Sequence, residues 1–245
     1  GWDVVGLDNL NNYYSVQLKE DRISKIKEAA RAENKSFQLY RNDLNSEVWD
    51  ELENLRIDAL IHLAAQAGVR YSIDNPHTYL ESNVLGFQRV LDFVRLKNIR
   101  PFIYASSSSV YGKDSEQPFK ENFTCNSPES YYAATKKANE LMATAYFNTH
   151  KVSSTGLRFF TVYGPWGRPD MALFKFTKAI LEEKTVDVFN FGKHTRDFTY
   201  IDDIVNGIIK TLETPATENL NWNSLNPDPA SSLAPWRVYN IGNND

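Results

Sequence analysis

The sequence has little of several features that mark particular classes of protein. Its 245 residues include a single cysteine, Cys125, so no disulfide can form within the chain. The four histidines, His62, His77, His150 and His194, lack the spacing of metal ligands, so we expect no bound metal. The net charge is −4 and no Lys/Arg tract occurs, so we expect no nucleic-acid partner.

Long apolar segments are also lacking. No apolar run approaches the roughly 18 residues of a membrane span, and the opening GWDVVGLDNL has neither the charge nor the apolar core of a signal peptide. We therefore expect no membrane contact and a cytoplasmic location. The chain has no initiator Met and both opens and closes on strand-like patterns, Trp2 to Leu7 and Val238 to Ile241. We expect it to be a fragment of a longer protein.

The glycine-rich phosphate loop of dinucleotide-binding proteins is not found. None of the eleven glycines falls in a GxGxxG or GxxGxxG arrangement. Dinucleotide binding therefore cannot be inferred from that signature, because the signature depends on glycines that let the backbone approach the pyrophosphate.

The chain does show alternating strand-like and helix-like patterns. Short apolar strands are predicted at Asp3–Asp8, Ser36–Tyr40, Ala59–Ala64, Pro101–Ser106 and Val152–Phe160. Helical spacing of apolar residues predicts helices over Gln17–Ala32, Thr78–Lys97 and Tyr131–His150. This order predicts an α/β fold with a doubly wound parallel sheet of the Rossmann type.

The pattern changes after Phe160. A Gly/Pro loop, YGPWGRPD, precedes a predicted helix near Met171–Glu183, short strands at Val186–Phe189 and Phe198–Tyr200, and a helix from about Ile201; the stretch Thr214–Pro235 is predicted to be a long loop. We expect two domains, residues 1–160 as the Rossmann-type domain and residues 161–245 as a smaller C-terminal lobe.

Tyr132 and Lys136 are the first candidates for chemistry. They are four residues apart on a predicted helix, so their side chains share one face, where an ammonium favours a neighbouring phenolate. The pair alone is weak, because thirteen tyrosines give about one such spacing by chance. The hydroxyl cluster Ser106–Ser109 adds to it, since a donor at the end of the preceding strand could polarise the same substrate oxygen.

Six ordered segments resemble the extended short-chain dehydrogenase/reductases, and within them the nucleotide-sugar epimerases that act on UDP-glucuronate. The segments are VVGLDNLNNYYSVQLKEDRI, HLAAQAGVRYSIDNP, YASSSSVYG, YYAATKKANELMA, LRFFTVYGPWGRPDMALFKF and RDFTYIDDI. The resemblance implies NAD-dependent inversion at C4 of a UDP-hexuronate through a 4-keto intermediate. Family members carry a further strand and the GxxGxxG loop before the position of Gly1, and they continue beyond Asp245.

The resemblance also implies a set of cofactor contacts. Asp8 would accept hydrogen bonds from the adenosine ribose, which favours NAD over NADP. Lys136 would hold the nicotinamide ribose. The full implied set is Asp8, Asn9, Asp43, Leu44, Leu63, Ala64, Ala65, Asn83, Ser106, Tyr132, Lys136 and Phe159.

For catalysis the resemblance assigns Tyr132 as the base that takes the sugar 4-hydroxyl proton. Lys136 assists it, and Ser108 and Ser109 hydrogen-bond the same oxygen. A serine at 109, where related dehydratases and decarboxylases carry an acidic residue, favours epimerisation alone. Arg168 is assigned to the hexuronate carboxylate, because arginine binds carboxylates through paired hydrogen bonds. The implied substrate contacts are Arg70, Ser108, Thr161, Arg168 and Arg196.

Two other interpretations remain open. The enzyme could epimerise neutral UDP-hexoses such as UDP-glucose, or the chain could be a noncatalytic or inactive fragment. The resemblance further implies a homodimer, because helices Thr78–Lys97 and Tyr131–His150 correspond to the pair that family members use for a four-helix contact.

Overall fold

The computed structural model describes residues 1–113, 115–188, 190–193 and 195–243. These residues form two compact units, one of Gly1–Val48 with Gly164–Thr195 and one of Trp49–Tyr163 with Arg196–Asp245. The domain boundary predicted after Phe160 stays a prediction.

Strands and helices alternate along most of the described chain. In chain order they are β1 (Val4–Leu7), α1 (Val16–Ala32), β2 (Phe37–Tyr40), α2 (Val48–Leu52), β3 (Leu60–His62), α3 (Tyr71–Asp74), α4 (Pro76–Tyr79), α5 (Gly86–Lys97), β4 (Phe102–Ser107), α6 (Tyr131–His150), β5 (Ser154–Phe159), β6 (Thr161–Tyr163), α7 (Ala172–Leu181), β7 (Phe198–Tyr200), α8 (Ile201–Glu213) and β8 (Trp236–Ile241).

In the first unit, β1 and β2 form a parallel pair joined by α1. Ser15 begins α1 as its N-cap, because its hydroxyl oxygen accepts from the Leu18 N–H at 3.4 Å. The connection places the carboxyl ends of β1 and β2 side by side, so Asp8 and the residues after Tyr40 lie at the same edge.

In the second unit, four strands form a parallel sheet in the order β3-β4-β5-β8, and β6 and β7 form a separate parallel pair. Buried aromatic and aliphatic side chains form its core, among them Phe87, Phe102, Tyr104, Phe147 and Leu157. The parallel α/β architecture confirms the predicted fold class. The strand crossovers place the carboxyl ends of β4 and β5 together, with Ser107 opposite Phe159.

One glycine in this sheet is fixed by packing. Gly156 on β5 lies opposite Tyr104 on β4, and a Cβ there would approach the tyrosine hydroxyl oxygen to 2.6 Å. The Tyr104 hydroxyl in turn accepts from the Trp236 indole N–H at 3.1 Å on β8. A side chain at position 156 would therefore disturb three neighbouring strands.

Several element predictions need correction. The strand predicted at Val186–Phe189 is wrong for residues 186–188, which are irregular, and Phe189 lies outside the described residues. Val188 is 64% exposed, so no buried face favours a strand there. Conversely, β6 was not predicted as a strand, and its last residue, Tyr163, is the first residue of the predicted Gly/Pro loop; β6 pairs in parallel with β7.

The helix predicted over Thr78–Lys97 begins earlier and is not uniform. It starts at Pro76, which suits the first turn because proline has no N–H to leave unpaired. Residues Leu80–Leu85 then form a π-helix before α5. None of the described helices is long and apolar enough to cross a membrane.

Candidate active site

Three serines, Ser107 to Ser109, lie at the carboxyl end of β4, and Ser107 is the last residue of the strand. Ser107 caps the 3₁₀ turn Ser108–Tyr111, and its oxygen accepts from both the N–H and the hydroxyl of Ser109, at 3.2 and 2.9 Å. The cluster is therefore ordered by its own hydrogen bonds, and the predicted donors Ser108 and Ser109 lie on one short turn at the carboxyl edge of the sheet.

Tyr132 and Lys136 lie on the first turns of α6, as their spacing predicted. Ser130 begins the helix, with its hydroxyl oxygen accepting from the Ala133 N–H at 3.1 Å. The Lys136 ammonium is 3% exposed and donates to the Ala105 carbonyl at 2.9 Å, directly before the serine cluster. The Lys136 ammonium therefore lies beside the end of β4.

Burial changes the protonation of Lys136. Removal from water lowers the pKa of its ammonium to about 8, so it is charged at neutral pH but close to its titration. The same charge, together with the larger effect of burial, lowers the pKa of the His62 imidazole to about 3. His62 is therefore a neutral core histidine, and the positive charge at this edge of the sheet belongs to Lys136.

Tyr79 lies between Tyr132 and the loop after β3. Its ring is 6.0 Å from the Tyr132 ring in an edge-on arrangement. Its hydroxyl lies 2.9 and 2.5 Å from the carbonyl oxygens of Ala67 and Gly68. Tyr79 thus packs its ring against Tyr132, and its hydroxyl holds the loop after β3. That loop begins with the predicted cofactor contacts Leu63, Ala64 and Ala65.

Asn83, predicted from the resemblance to contact the cofactor, is buried within the π-helix. Its amide accepts from the Gln66 N–H at 2.8 Å and donates to the Gln66 carbonyl at 3.0 Å and to Thr135 at 3.1 Å. Its own carbonyl accepts from Asn139 at 2.6 Å. The structure gives Asn83 the role of joining the loop after β3 to α6, and its cofactor contact stays a prediction.

The Ser106 hydroxyl also forms a hydrogen bond within the protein. Its hydroxyl donates to Glu140 at 2.6 Å, and Glu140 forms a paired salt bridge with Arg158. The sequence reasoning missed Glu140 and Arg158. The available signal was the four-residue spacing Tyr132–Lys136–Glu140, together with an arginine inside an apolar strand.

The predicted adenosine contacts lie together in the first unit. Asp8 accepts from the Leu10 N–H at 2.7 Å, and the Asn9 amide donates to Asp43 at 2.7 Å. Both carboxylates are exposed at the carboxyl ends of β1 and β2, a position that suits acceptors for ribose hydroxyls. Leu44 follows Asp43 directly and is half-buried.

Arg168, also in the first unit, is paired within its own loop. Its guanidinium forms two hydrogen bonds with Asp170, one of them 2.9 Å long from Nε, and the Tyr13 hydroxyl donates to the same carboxylate at 3.2 Å. Although burial acts to raise the pKa of Asp170, these donors hold it below its usual range. A carboxylate ligand would therefore have to share Arg168 with Asp170.

Three further predicted substrate contacts lie in the second unit. Arg70 is exposed directly before α3, and Thr161 begins β6, with its N–H donating to the Asp197 carbonyl at 3.1 Å. Arg196 is exposed two residues before β7, and the β6–β7 pairing brings its neighbour Asp197 against Thr161. Phe159 ends β5 opposite Ser107.

In the described ranges, no group of three His, Cys, Asp or Glu side chains could hold a metal ion.

Comparison with known proteins identifies the class. Residues 1–224 match the family model described as the NAD dependent epimerase/dehydratase family, and the chain belongs to that family.

Particular relatives carry more specific names. The chain is 52% identical over 248 residues to Protein CapI of Staphylococcus aureus, covering all of this chain and 72% of that protein. It is 45% identical over 254 residues to UDP-glucuronate 4-epimerase 4 of Arabidopsis thaliana, covering 99% of this chain and 54% of the plant protein. The chain thus spans about half of that plant relative.

A solved structure of known name is also similar to this chain. The UDP-glucuronic acid 4-epimerase of Bacillus cereus, crystallised with UDP-glucuronic acid and NAD, is similar at a TM-score of 0.80 with 33% sequence identity. The similarity covers 98% of this chain and 69% of the Bacillus chain.

Proposed function

We propose that the protein converts UDP-glucuronate to UDP-galacturonate by NAD-dependent epimerisation at C4. One observation carries the proposal most directly: a buried lysine one helical turn from Tyr132 is hydrogen-bonded to the strand residue that precedes the serine cluster. In the proposal, Tyr132 is the base, Lys136 the cation and the serine hydroxyls the donors at this edge of the sheet. Family membership and the names of the relatives support the same reaction.

In this mechanism Tyr132 takes the proton of the sugar 4-hydroxyl. Lys136 stabilises the phenolate that accepts it, because a cation one turn away favours the negative form. Ser108 and Ser109 hydrogen-bond the same sugar oxygen and hold it toward the base. When bound next to Lys136, NAD would supply the acceptor for the C4 hydride and the source from which the hydride returns to C4. Tyr132 then reprotonates the oxygen on the inverted carbon, so no net oxidation occurs.

The chain's own residues fit the cofactor in two places. The exposed carboxylates of Asp8 and Asp43 would accept hydrogen bonds from the adenosine portion, with Asn9 orienting Asp43. Lys136, through the N–H bonds not used by Ala105, would hold the nicotinamide ribose. The other proposed cofactor contacts are Leu44, Leu63, Ala64, Ala65, Asn83, Ser106, Tyr132 and Phe159.

The hexuronate carboxylate is assigned to Arg168, with Arg70, Thr161 and Arg196 as the other substrate contacts. Holding this carboxylate matters chemically, because the 4-keto form of a uronic acid is a β-keto acid that can lose CO₂. Asp170 holds the Arg168 guanidinium in one orientation through paired hydrogen bonds. The Asp170 charge also sets how strongly a second carboxylate can be bound.

The Arg168–Asp170 pair also supports a second candidate, epimerisation of the neutral UDP-glucose. An arginine whose charge is already balanced can serve as a hydrogen-bond donor to a neutral sugar hydroxyl. A noncatalytic chain is the third possibility.

We further propose a homodimer formed through α5 and α6, whose Leu96 and Leu141 side chains are 71% and 61% exposed. The cytoplasmic location stays a prediction.

Proton NMR of the full-length protein with NAD and either UDP-glucuronate or UDP-glucose tests the proposal. We expect galacturonate signals from the first substrate, with at least a thousandfold loss in Tyr132→Phe, because the phenyl ring cannot exchange a proton. Tyr131→Phe, a neighbouring tyrosine on the exposed face of α6, is the matched control and should retain activity. Conversion of UDP-glucose alone would assign the second candidate, and conversion of neither would indicate a noncatalytic chain.

A further inference from the structure

Glu140 continues the helix face that carries Tyr132 and Lys136. The three residues are spaced by four along α6, so their side chains follow one another on the same side. Lys136 donates to the Ala105 carbonyl at 2.9 Å, and Glu140 accepts from the Ser106 hydroxyl at 2.6 Å. Consecutive residues of β4 are therefore bound to consecutive turns of α6.

Arg158 on β5 balances the Glu140 charge. Its Nε and Nη2 atoms donate to the two carboxylate oxygens at 2.8 and 2.9 Å, and the side chains are 0% and 2% exposed. Although burial disfavours both charges, the pairing lowers the pKa of Glu140 and raises that of Arg158, so both stay ionised. The Lys137 ammonium nitrogen lies 3.3 Å from Oε2 of Glu140, the oxygen that also accepts from Arg158 Nη2.

The same arginine contacts the far end of the serine cluster. The Arg158 guanidinium lies 4.8 Å from the centre of the Tyr111 ring, and its Nη1 donates to the Glu121 carbonyl at 3.2 Å. Tyr111 is the last residue of the 3₁₀ turn that begins at Ser108. The ion pair is therefore bound on one side to Ser106 and on the other to Tyr111, so it brackets the turn.

We propose that Glu140, held by Arg158, is a positioning residue for the active site: it fixes the serine cluster against the helix face that carries Tyr132 and Lys136. The inference rests on the proposed function. A buried ion pair is a weak source of stability, because desolvation offsets most of the attraction. Because the ion pair also contacts Ser106 and Tyr111, we infer that it fixes the position of the hydroxyl donors relative to the base.

The ion pair also sets the charge around Lys136. The His62 imidazole on β3 is coupled to the Lys136 charge. On α6, Tyr132, Lys137 and Glu140 lie within about one turn of Lys136, and Glu140 is paired with both Lys137 and Arg158. With Glu140 and Arg158 balanced, burial alone lowers the pKa of Lys136. A neutral residue at 140 would leave the Arg158 charge uncompensated, which disfavours a second cation nearby.

Four variants of the full-length protein test the inference: Glu140→Gln, Glu140→Asp, Ser106→Ala and Ser154→Ala. Glu140→Gln removes the negative charge with little change of shape, and Ser106→Ala removes one hydrogen bond but keeps the ion pair. Ser154→Ala is the matched control, since Ser154 is a buried β5 serine whose hydroxyl has no hydrogen-bond partner among the described residues. The readouts are kcat and KM on UDP-glucuronate and the ¹³Cε signal of Lys136 titrated by NMR, assigned with Lys136→Arg.

We expect Ser106→Ala to lower kcat on the order of tenfold with KM within about twofold, since one charge-assisted hydrogen bond is lost. Glu140→Gln should lower kcat further and move the Lys136 titration down by about half a pH unit or more, and Glu140→Asp should recover part of both losses. Ser154→Ala should change neither readout. A purely structural ion pair would lower the melting temperature without moving the Lys136 titration.

The two proposals fail separately. If the wild-type protein converts no UDP-sugar, the proposed function fails, and the Lys136 signal still reports on the positioning. If Glu140→Gln does not fold, Ser106→Ala decides the outcome. A kcat within twofold of wild type in Ser106→Ala, or in an inactive protein an unmoved Lys136 signal in a folded Glu140→Gln or Glu140→Asp variant, overturns the inference.

Discussion

At the scale of single residues, the chemistry depends on how burial changes proton affinity at the end of β4. Lys136 loses water and keeps one carbonyl partner, so its pKa falls to about 8. His62 stays neutral for the same reason. Each of these two pKa shifts gives a prediction.

The first concerns the pH dependence of turnover. Lys136 is charged below pH 8 and neutral above it, so kcat should fall as pH rises through about 8 if the ammonium assists Tyr132. In Lys136→Arg this high-pH decline should move above pH 10, because a guanidinium does not deprotonate there. Initial rates between pH 6 and 10 measure it. A decline at the same pH in both proteins would assign it to another group.

The second concerns stability in acid. The folded protein holds the pKa of His62 near 3, whereas an unfolded chain protonates it near 6.5. The stability contributed is therefore complete above pH 6.5 and is lost as pH falls from 6.5 toward 3. It amounts to on the order of 3 kcal/mol between pH 7 and pH 4.

Urea unfolding at pH 7 and pH 4 tests this. His62→Leu should lose less stability on acidification than the wild type by about that amount. His77→Gln, which changes an exposed histidine, should behave as the wild type. Equal pH dependence in His62→Leu and wild type would contradict the account.

At the scale of elements, the sheet of the second unit is fixed by close contacts between strands. Gly156 leaves room for the Tyr104 ring, and Tyr104 accepts from Trp236 on β8. The order of the main strands and helices was predicted from their apolar patterns. The exceptions were short: three residues at β6, and the irregular residues 186–188, where too few side chains alternate to indicate either structure.

Gly156→Ala tests this packing. We expect a loss of about 2 kcal/mol of unfolding free energy, since the added methyl overlaps the Tyr104 ring. Combined with Tyr104→Leu the costs should be less than additive, because the smaller side chain relieves the overlap. Denaturant unfolding of the four proteins in the cycle measures it, and strictly additive costs would place the strain elsewhere.

The candidate site was only partly predictable. The sequence indicated Tyr132, Lys136 and the serine cluster, because helical spacing and strand ends are local features. It missed Glu140 and Arg158, which meet across 18 residues of sequence and whose pairing depends on the packing of α6 against β5. The sequence analysis named Arg168 as a candidate but not its partner Asp170, since two neighbouring charged residues in a loop give no pattern.

At the scale of the whole molecule, oligomeric state is the first question. The exposed apolar side chains of α5 and α6 predict a dimer with twice the mass of one chain in light scattering. Leu141→Glu should give the mass of one chain, because a charge would be buried at the contact. Leu181→Glu, on the exposed α7, is the control and should leave the mass unchanged. A wild-type monomer would contradict the dimer.

The central claim is that C4 of the sugar is oxidised and reduced in one site without exchange with water. The most direct measurement is NMR and mass analysis of UDP-galacturonate formed from UDP-glucuronate carrying deuterium at C4, with the full-length protein and NAD. The account predicts that the product retains the deuterium at C4. Loss of the label to water, or the absence of UDP-galacturonate, would contradict it.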